Sequence, residues 1–295
     1  MDNKKADEFL HEAERLWMAG EMPQARELYR RARLVLREND DRAGEMAALL
    51  ALGDLELRLG RRAPARECFV EARTLLAGGG DQKSQGAVLC RLGDLARHDD
   101  NLKEAREYYT SAAELFRAAG DAAGQGHATK RLGHIERDEG RQDVALELYQ
   151  KALGLYRAGG DSLGEAHARR ALAALHDLLG QPDLAHRDYE LALEIYRQTG
   201  DMLSEAGALT GLGRLLRRLN RPEESGKALE QAARLYGKAG DLRGEADLIR
   251  ELAHLDLGQG QRDRARRHLS RAADLYGRIE ATELRHKALK DLEAL

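Results

Sequence analysis

Residues Asp161–Gly200 read DSLGEAHARRALAALHDLLGQPDLAHRDYELALEIYRQTG, and this stretch decides the fold. Ala168, Leu172, Leu175 and Leu179 fall at i, i+4, i+7 and i+11, the apolar stripe of a helix. Gly180 interrupts the stripe, and Pro182 opens a second helix, where a missing N–H costs nothing. That helix carries Ala185, Tyr189, Ala192 and Tyr196 at the same spacing. Gly200 stops it, and Asp201 stands ready to cap the next.

The stretch is one copy of a repeat. Gly-Asp recurs at Gly80-Asp81, Gly120-Asp121, Gly160-Asp161, Gly200-Asp201 and Gly240-Asp241, 40 residues apart each time. Alanine stands at Ala32, Ala72, Ala112, Ala152, Ala192, Ala232 and Ala272, and leucine at Leu52, Leu92, Leu132, Leu172, Leu212 and Leu252. A two-helix unit of this size cannot bury its own stripe, so neighbouring copies must stack. The fold class is therefore all-α, an α-solenoid in one domain over 1–295. Its seven units are 4–38, 42–78, 82–118, 122–158, 162–198, 202–238 and 242–277. Leu284, Ala288, Leu292 and Leu295 repeat the first-helix register with no partner helix after them, which predicts a capping helix over 281–295. All four prolines, Pro23, Pro64, Pro182 and Pro222, fall at the start of a second helix.

Ten of the thirteen aromatics lie in two second-helix rows: Tyr29, Phe69, Tyr109, Tyr149 and Tyr189, then Phe116, Tyr156, Tyr196, Tyr236 and Tyr276. Their coincidence with the apolar stripe makes them core. Gly53, Gly93, Gly133 and Gly213 let helices approach closely.

Composition narrows the function. Lys+Arg 48 against Asp+Glu 51 gives a net charge of −3, which excludes a strongly basic nucleic-acid binder. No apolar run approaches the roughly 18–20 residues that span a bilayer. Two cysteines suit a reducing, cytoplasmic compartment. MDNKKADEFLHEAERLW carries no apolar signal core. Gly78-Gly79-Gly80-Asp81-Gln82-Lys83-Ser84 has the outline of a phosphate loop, but Gln82 stands where glycine is required. His127 and His134 are seven apart, about 10 Å along a helix, too far for one metal ion. Cys68 flanks the core, and Cys90 falls on an outward face. No catalytic residue, metal or cofactor is expected, and the chain is not read as an enzyme.

Leu132-Gly133, Gly140, Ala145, Tyr149 and Ala152 together resemble the tetratricopeptide repeat (TPR) signature. The 40-residue period and the Gly-Asp joint, followed by Glu165, Glu205 and Glu245, are similar to the long-helix subclass of LGN/Pins, rapsyn and kinesin light chain. The resemblance implies a right-handed superhelix whose first helices line a concave groove, and a binding scaffold rather than an enzyme. The subclass asparagine ladder is not reproduced: Asp54, Asp94, His134, Ala174, Arg214 and His254 stand in its place. Side-chain electrostatics must then carry the binding.

The first-helix face opposite the core comprises the positions equivalent to 127, 130, 131, 134, 137 and 138. Over six units it holds eleven Lys/Arg against six Asp/Glu. A wall of one sign favours an acidic ligand, and the arginine fork suits carboxylates. The candidate contacts are Arg97, His127, Lys130, Arg131, His134, Arg137, His167, Arg170, Arg214, Arg217, Arg250 and His254. The histidines would add positive charge below pH ~6.5. The expected role is an interaction scaffold or adaptor for an acidic peptide or protein segment. The alternative is a sensor that binds a signalling peptide and changes superhelix shape, flexing at Gly124, Gly126, Gly207 and Gly211. Nucleic acid is not the expected partner, because that face lacks aromatics for base stacking. Self-association is left open.

Overall fold

The computed structural model describes residues 3–76 and 81–295. Among them are fifteen α-helices and no strand. These are α1 (Lys4–Met18), α2 (Met22–Glu38), α3 (Arg42–Arg58), α4 (Arg62–Leu76), α5 (Gln82–His98), α6 (Leu102–Ala118), α7 (Ala122–Asp138) and α8 (Gln142–Ala158). There follow α9 (Ser162–Leu178), α10 (Pro182–Thr199), α11 (Met202–Arg218), α12 (Pro222–Lys238), α13 (Leu242–Gly258), α14 (Arg262–Arg278) and α15 (Thr282–Glu293). Odd-numbered helices up to α13 are the first helices of the seven pairs, and α15 is the unpaired last one. The chain gathers into two compact units, 1–159 with α1–α8 and 160–295 with α9–α15. Within each unit, consecutive helices pack against one another in chain order.

Boundaries follow local chemistry. Asp41, Asp121, Asp161, Asp201 and Asp241 each precede a first helix and accept the N–H three residues on, at 2.7–3.0 Å. The Gly78-Gly79-Gly80 stretch lies outside the described residues. Asp81 after it takes the Ser84 N–H at 2.9 Å, the same helix cap and not a phosphate cradle.

A left-handed residue ends nearly every described helix up to α14, and the backbone period is 20 rather than 40. Gly60, Gly140, Gly180 and Gly260 turn first helix into second, and Gly120, Gly160, Gly200 and Gly240 turn second into first. Asp40, Asp100, Asn220 and Glu280 take the same conformation without being glycine. Asp and Asn tolerate it through local hydrogen bonds. Such a residue lets the next N–H reach back five residues, as Gln181 does to the His176 carbonyl at 2.8 Å.

The two aromatic rows are the core. Tyr29, Phe69, Tyr109, Tyr149, Tyr156, Tyr196 and Tyr276 are at most 2% exposed. Phe69, Tyr109 and Tyr149 lie directly on Gly53, Gly93 and Gly133. A methyl at Gly93 or Gly133 would sit 2.6 Å from the ring above it, so glycine there is a packing requirement. The pattern changes at Ala173. With a methyl in place of the glycine, the end of the Tyr189 ring rests on Gly211 of α11 instead. Gly124 and Gly126, read from sequence as flexing points, are seats for the Phe116 and Tyr156 rings.

Candidate functional site

The 40-residue register brings first helices side by side, with α5 touching α7 and α9 touching α11. In the first unit this juxtaposition pairs the face's cations. Arg91 makes a forked contact with Asp54 at 2.9–3.0 Å. Arg131 reaches Asp94 at 3.2 Å, and Arg97 reaches Asp138 at 3.4 Å, which Arg137 also holds at 2.7 Å. His127 Nε2 accepts from Arg131 Nε at 3.4 Å. Arg58, at the last turn of α3, is exposed and has no ion pair among the described residues.

Three expectations on this face change. Lys130 is buried, with its ammonium 5.7 Å from the centroid of the Tyr156 ring, because its register position tucks under the second aromatic row rather than facing outward. Cys90, one repeat earlier at the same position, is 4% exposed in the cluster containing Phe116, and burial pushes its thiol up to about 12. His134 adds no positive charge. Burial first, then Arg137, Lys130, Arg131 and Arg97, push its imidazole down to about 2. Its Nδ1 lies 2.7 Å from the Tyr149 hydroxyl, and the neutral ring can accept that proton.

In the second unit Arg214 grips Glu251 bidentately at 2.8–3.2 Å, and Arg217 shares the same carboxylate at 3.1 Å. Arg218 pairs with Asp177, and Arg250 with Asp291 of α15 at 3.2 Å. His254 lies 3.7 Å from Asp291. His167 takes the Tyr196 hydroxyl at 2.8 Å. Arg170 alone among this unit's candidate arginines has no carboxylate partner among the described residues, and it is exposed.

Sequence reasoning missed a second set of polar partners on this face. Each tyrosine of the first row points its hydroxyl at the first-helix residue 15 positions earlier: Tyr109 donates to Asp94 at 2.5 Å, and Tyr149 meets His134 at 2.7 Å. In the second row the offset is 29, with Tyr196 on His167 and Tyr276 donating to Asp247 at 2.6 Å. Both offsets were readable as pairs of columns in the repeat. They break at Ala174, opposite Tyr189, and at Gly207, opposite Tyr236. Tyr189 is only 5% exposed, yet its hydroxyl has no hydrogen-bond partner among the described residues.

No cluster of three or more His, Cys, Asp or Glu able to hold a metal exists among the described residues. No described helix is long and apolar enough to cross a membrane. What the face offers is guanidinium groups, imidazoles and hydroxyls ordered by the ion pairs and hydrogen bonds given above.

The geometry defines a helical-repeat solenoid with a charged first-helix face. Tetratricopeptide repeat profiles match residues 84–158, 129–198 and 206–238, together half of the chain. The chain belongs to the tetratricopeptide repeat family, whose members are generally non-enzymatic and serve as protein-interaction scaffolds or sensors. No curated protein matches it in sequence. Solved structures share the fold. BtubC (BKLC) from P. vanneervenii is 20% identical with a TM-score of 0.65, over 74% of this chain and 91% of that one. A Rap protein complexed with Competence and Sporulation Factor is 13% identical with a TM-score of 0.63, over 99% and 98%. The STAND protein PH0952 from Pyrococcus horikoshii, described as having a tetratricopeptide repeat sensor, is 16% identical with a TM-score of 0.64, over 92% of this chain and 45% of that one.

Proposed function

We propose that the chain is a non-enzymatic binding scaffold whose first-helix faces take an acidic peptide or protein segment. One observation carries the reading: after the ion pairs on the face are drawn, guanidinium is left over. Among the described residues Arg58 and Arg170 have no carboxylate partner, Arg97 and Arg137 share Asp138, and Arg214 and Arg217 share Glu251. In the second unit Arg170, Arg214 and Arg217 are the principal contacts, flanked by His167, Arg250 and His254. In the first unit Arg97, Arg131, Arg137 and His127 are the corresponding ones. Lys130 and His134 act behind them, one capping a buried ring and the other holding a tyrosine. Exposed pairs such as these are individually weak, so a ligand carboxylate can exchange with an internal one at little cost.

The test uses fluorescein-labelled hexaglutamate, with hexalysine as the control, followed by anisotropy at low and high salt. The wild-type protein should bind hexaglutamate with strong salt dependence. Arg217→Glu should weaken binding by roughly tenfold or more. Equal binding by this variant and wild type, at equal Tm, would show that the face is not the site. The sensor reading draws support from the similarity to the Rap and STAND structures. It adds one expectation, a change in small-angle scattering when ligand is bound.

A further inference from the structure

The second helices carry a clamp of their own, distinct from the first-helix face. Arg26 of α2 holds Glu56 of α3, and Arg106 of α6 holds Glu136 at 3.1 Å and Glu139 beside it. Arg66 of α4 takes Asp99 at 2.6 Å. Donor and acceptor are 30 or 33 residues apart each time. Where the column loses its arginine, at Leu146 and His186, the acceptors are gone as well: His176 and Leu179 stand in one place, Leu216 and Leu219 in the other.

α12 breaks this rule. Its column residue is Gly226, yet Asp256 and Gln259 still stand 30 and 33 residues on. With no side chain at 226, a cleft of about 410 Å³ opens, walled by Gly226, Asp256 and Gln259 with Glu223 and Glu230. Asp256 is only 3% exposed. Its Oδ2 meets His268 Nδ1 at 2.7 Å, but its Oδ1 has only Arg264 Nε, at 3.7 Å, beyond hydrogen-bonding reach. Arg264 is held elsewhere, by Glu230 at 3.1 Å and by the Gln261 side-chain oxygen at 2.8 Å. Glu223 has no ion pair among the described residues. Counting histidine as neutral, three carboxylates face two cations, Lys227 and Arg264, so the walls lack one positive charge. At Glu136 and Glu139 the count is even, because Arg106 stands there beside Arg141.

We propose that the cleft beside Gly226 binds a guanidinium, the side chain of an arginine in a partner segment, in the place that Arg106 fills internally. The fork donates to Asp256 Oδ1 and to the Gln259 side-chain oxygen, as Arg106 does to Glu136 and Glu139, and the exposed Glu223 adds negative charge. A buried carboxylate with one oxygen left unfilled is what an incoming donor completes. The planar guanidinium reaches two acceptors at once, which the point charge of a lysine does not. The site shares neither its residues nor the sign of its ligand with the first-helix face, so it stands or falls independently of the acidic-segment reading.

The full chain is titrated into fluorescein-labelled tetra-arginine, with labelled tetralysine as the control, and anisotropy is followed. Wild type should bind tetra-arginine several-fold more tightly than tetralysine. Gly226→Arg rebuilds the clamp from within; a Cβ there meets only Leu255, at 3.6 Å, so the position has room for a side chain. It should weaken tetra-arginine binding by roughly tenfold while raising Tm, which separates lost binding from lost folding. Asp256→Asn should also weaken binding by roughly tenfold, and Gln259→Glu, which restores the acceptor that Glu139 supplies, should strengthen it. Unchanged binding by Gly226→Arg, or by Asp256→Asn with its helicity intact, overturns the proposal, as does a wild type that binds neither peptide. Equal affinity for the two peptides overturns the guanidinium assignment in favour of a general cation site. Displacement of tetra-arginine by methylguanidine at matched guanidinium concentration overturns the partner segment in favour of a small guanidino compound.

Discussion

The two units carry the same tyrosine row over the same first-helix column and use it differently. In the first unit Asp94 and His134 close the ring hydroxyls of Tyr109 and Tyr149 into internal hydrogen bonds, and Arg131 braces Asp94 from the next repeat. In the second unit Ala174 stands opposite Tyr189, whose hydroxyl end rests on Gly211, and Arg170 lies over Gly207. The lesson concerns how a repeat protein varies one column while keeping its frame. Nothing is added to the frame at α9 and α11; two periodic acceptors are absent, and the Tyr189 hydroxyl rests on Gly211 instead.

The largest expected effect comes from making the first unit resemble the second. Asp94→Ala orphans the fully buried Tyr109 hydroxyl and releases Arg131, and it should cost about 2 kcal/mol. Denaturant unfolding would measure this as a lower midpoint with an unchanged slope. An unaltered midpoint would mean that the Tyr109–Asp94 bond contributes nothing, and the contrast between the units would lose its energetic basis.

Next comes the other closed position. His134 has its folded-state pKa held near 2, by burial and then by four neighbouring cations, far below that of a free imidazole. Between pH ~6.5 and the folded value, the unfolded chain binds a proton that the folded chain refuses, so stability rises with pH across that window. It is fully present above pH ~6.5 and is lost as the solution is acidified, by up to about 1.4 kcal/mol per pH unit. His134→Gln should flatten that slope, as read from unfolding midpoints at pH 7.5 and 5. Equal slopes in the two proteins would place the imidazole in water. His167, at the Tyr196 hydroxyl in the second unit, gives the companion measurement.

The reverse change follows. Ala174→Asp should raise stability by about 1 kcal/mol, since the Tyr189 hydroxyl gains a charged acceptor at a half-buried site. A loss of stability would mean that the Tyr189 ring, displaced by Ala173 onto Gly211, no longer reaches the column that Tyr109 and Tyr149 reach.

Much of this was legible in sequence, and its limits are physical. Helix ends were written by Gly-Asp joints and prolines, because left-handed turns and N-caps depend on one residue each. Asp100 and Asn220 turn the chain as glycine does, which the spacing implied but the residue type concealed. On a single helix Cys90 and Lys130 face outward; what buries them is an aromatic row on neighbouring helices. Ion pairs such as Arg91–Asp54 and Arg97–Asp138 join residues 37 and 41 apart, so they depend on the axial offset between stacked helices. No single-helix pattern encodes that offset. The hydroxyl columns at offsets of 15 and 29 were available all along, but only by reading two positions of the repeat jointly.

The smallest effect tests whether the second unit's open character extends to its second-helix side. Residues 68, 108, 148, 188 and 268 share one register position, occupied by Cys68, Tyr108, Leu148, Asp188 and His268. Asp188 holds His176 at 3.1 Å and Arg169 at 3.2 Å, and His268 holds Asp256 at 2.7 Å, so each fills the groove beneath it with a side chain. Ala228 fills nothing. Beside it opens a cleft of about 490 Å³ with Leu193, Leu209, Leu212 and Leu216 on its floor and His186, Glu190, Arg197 and Lys227 at its rim. Ala228→Leu should add roughly 0.5–1 kcal/mol by covering those leucines. It should leave hexaglutamate affinity unchanged, since the cleft lies between second helices and Arg170 does not line it. A gain in stability with unchanged binding would mark this cleft as a packing deficit only. A loss of binding would tie it to the first-helix face, and the two sides of the second unit would then have to be treated as one site.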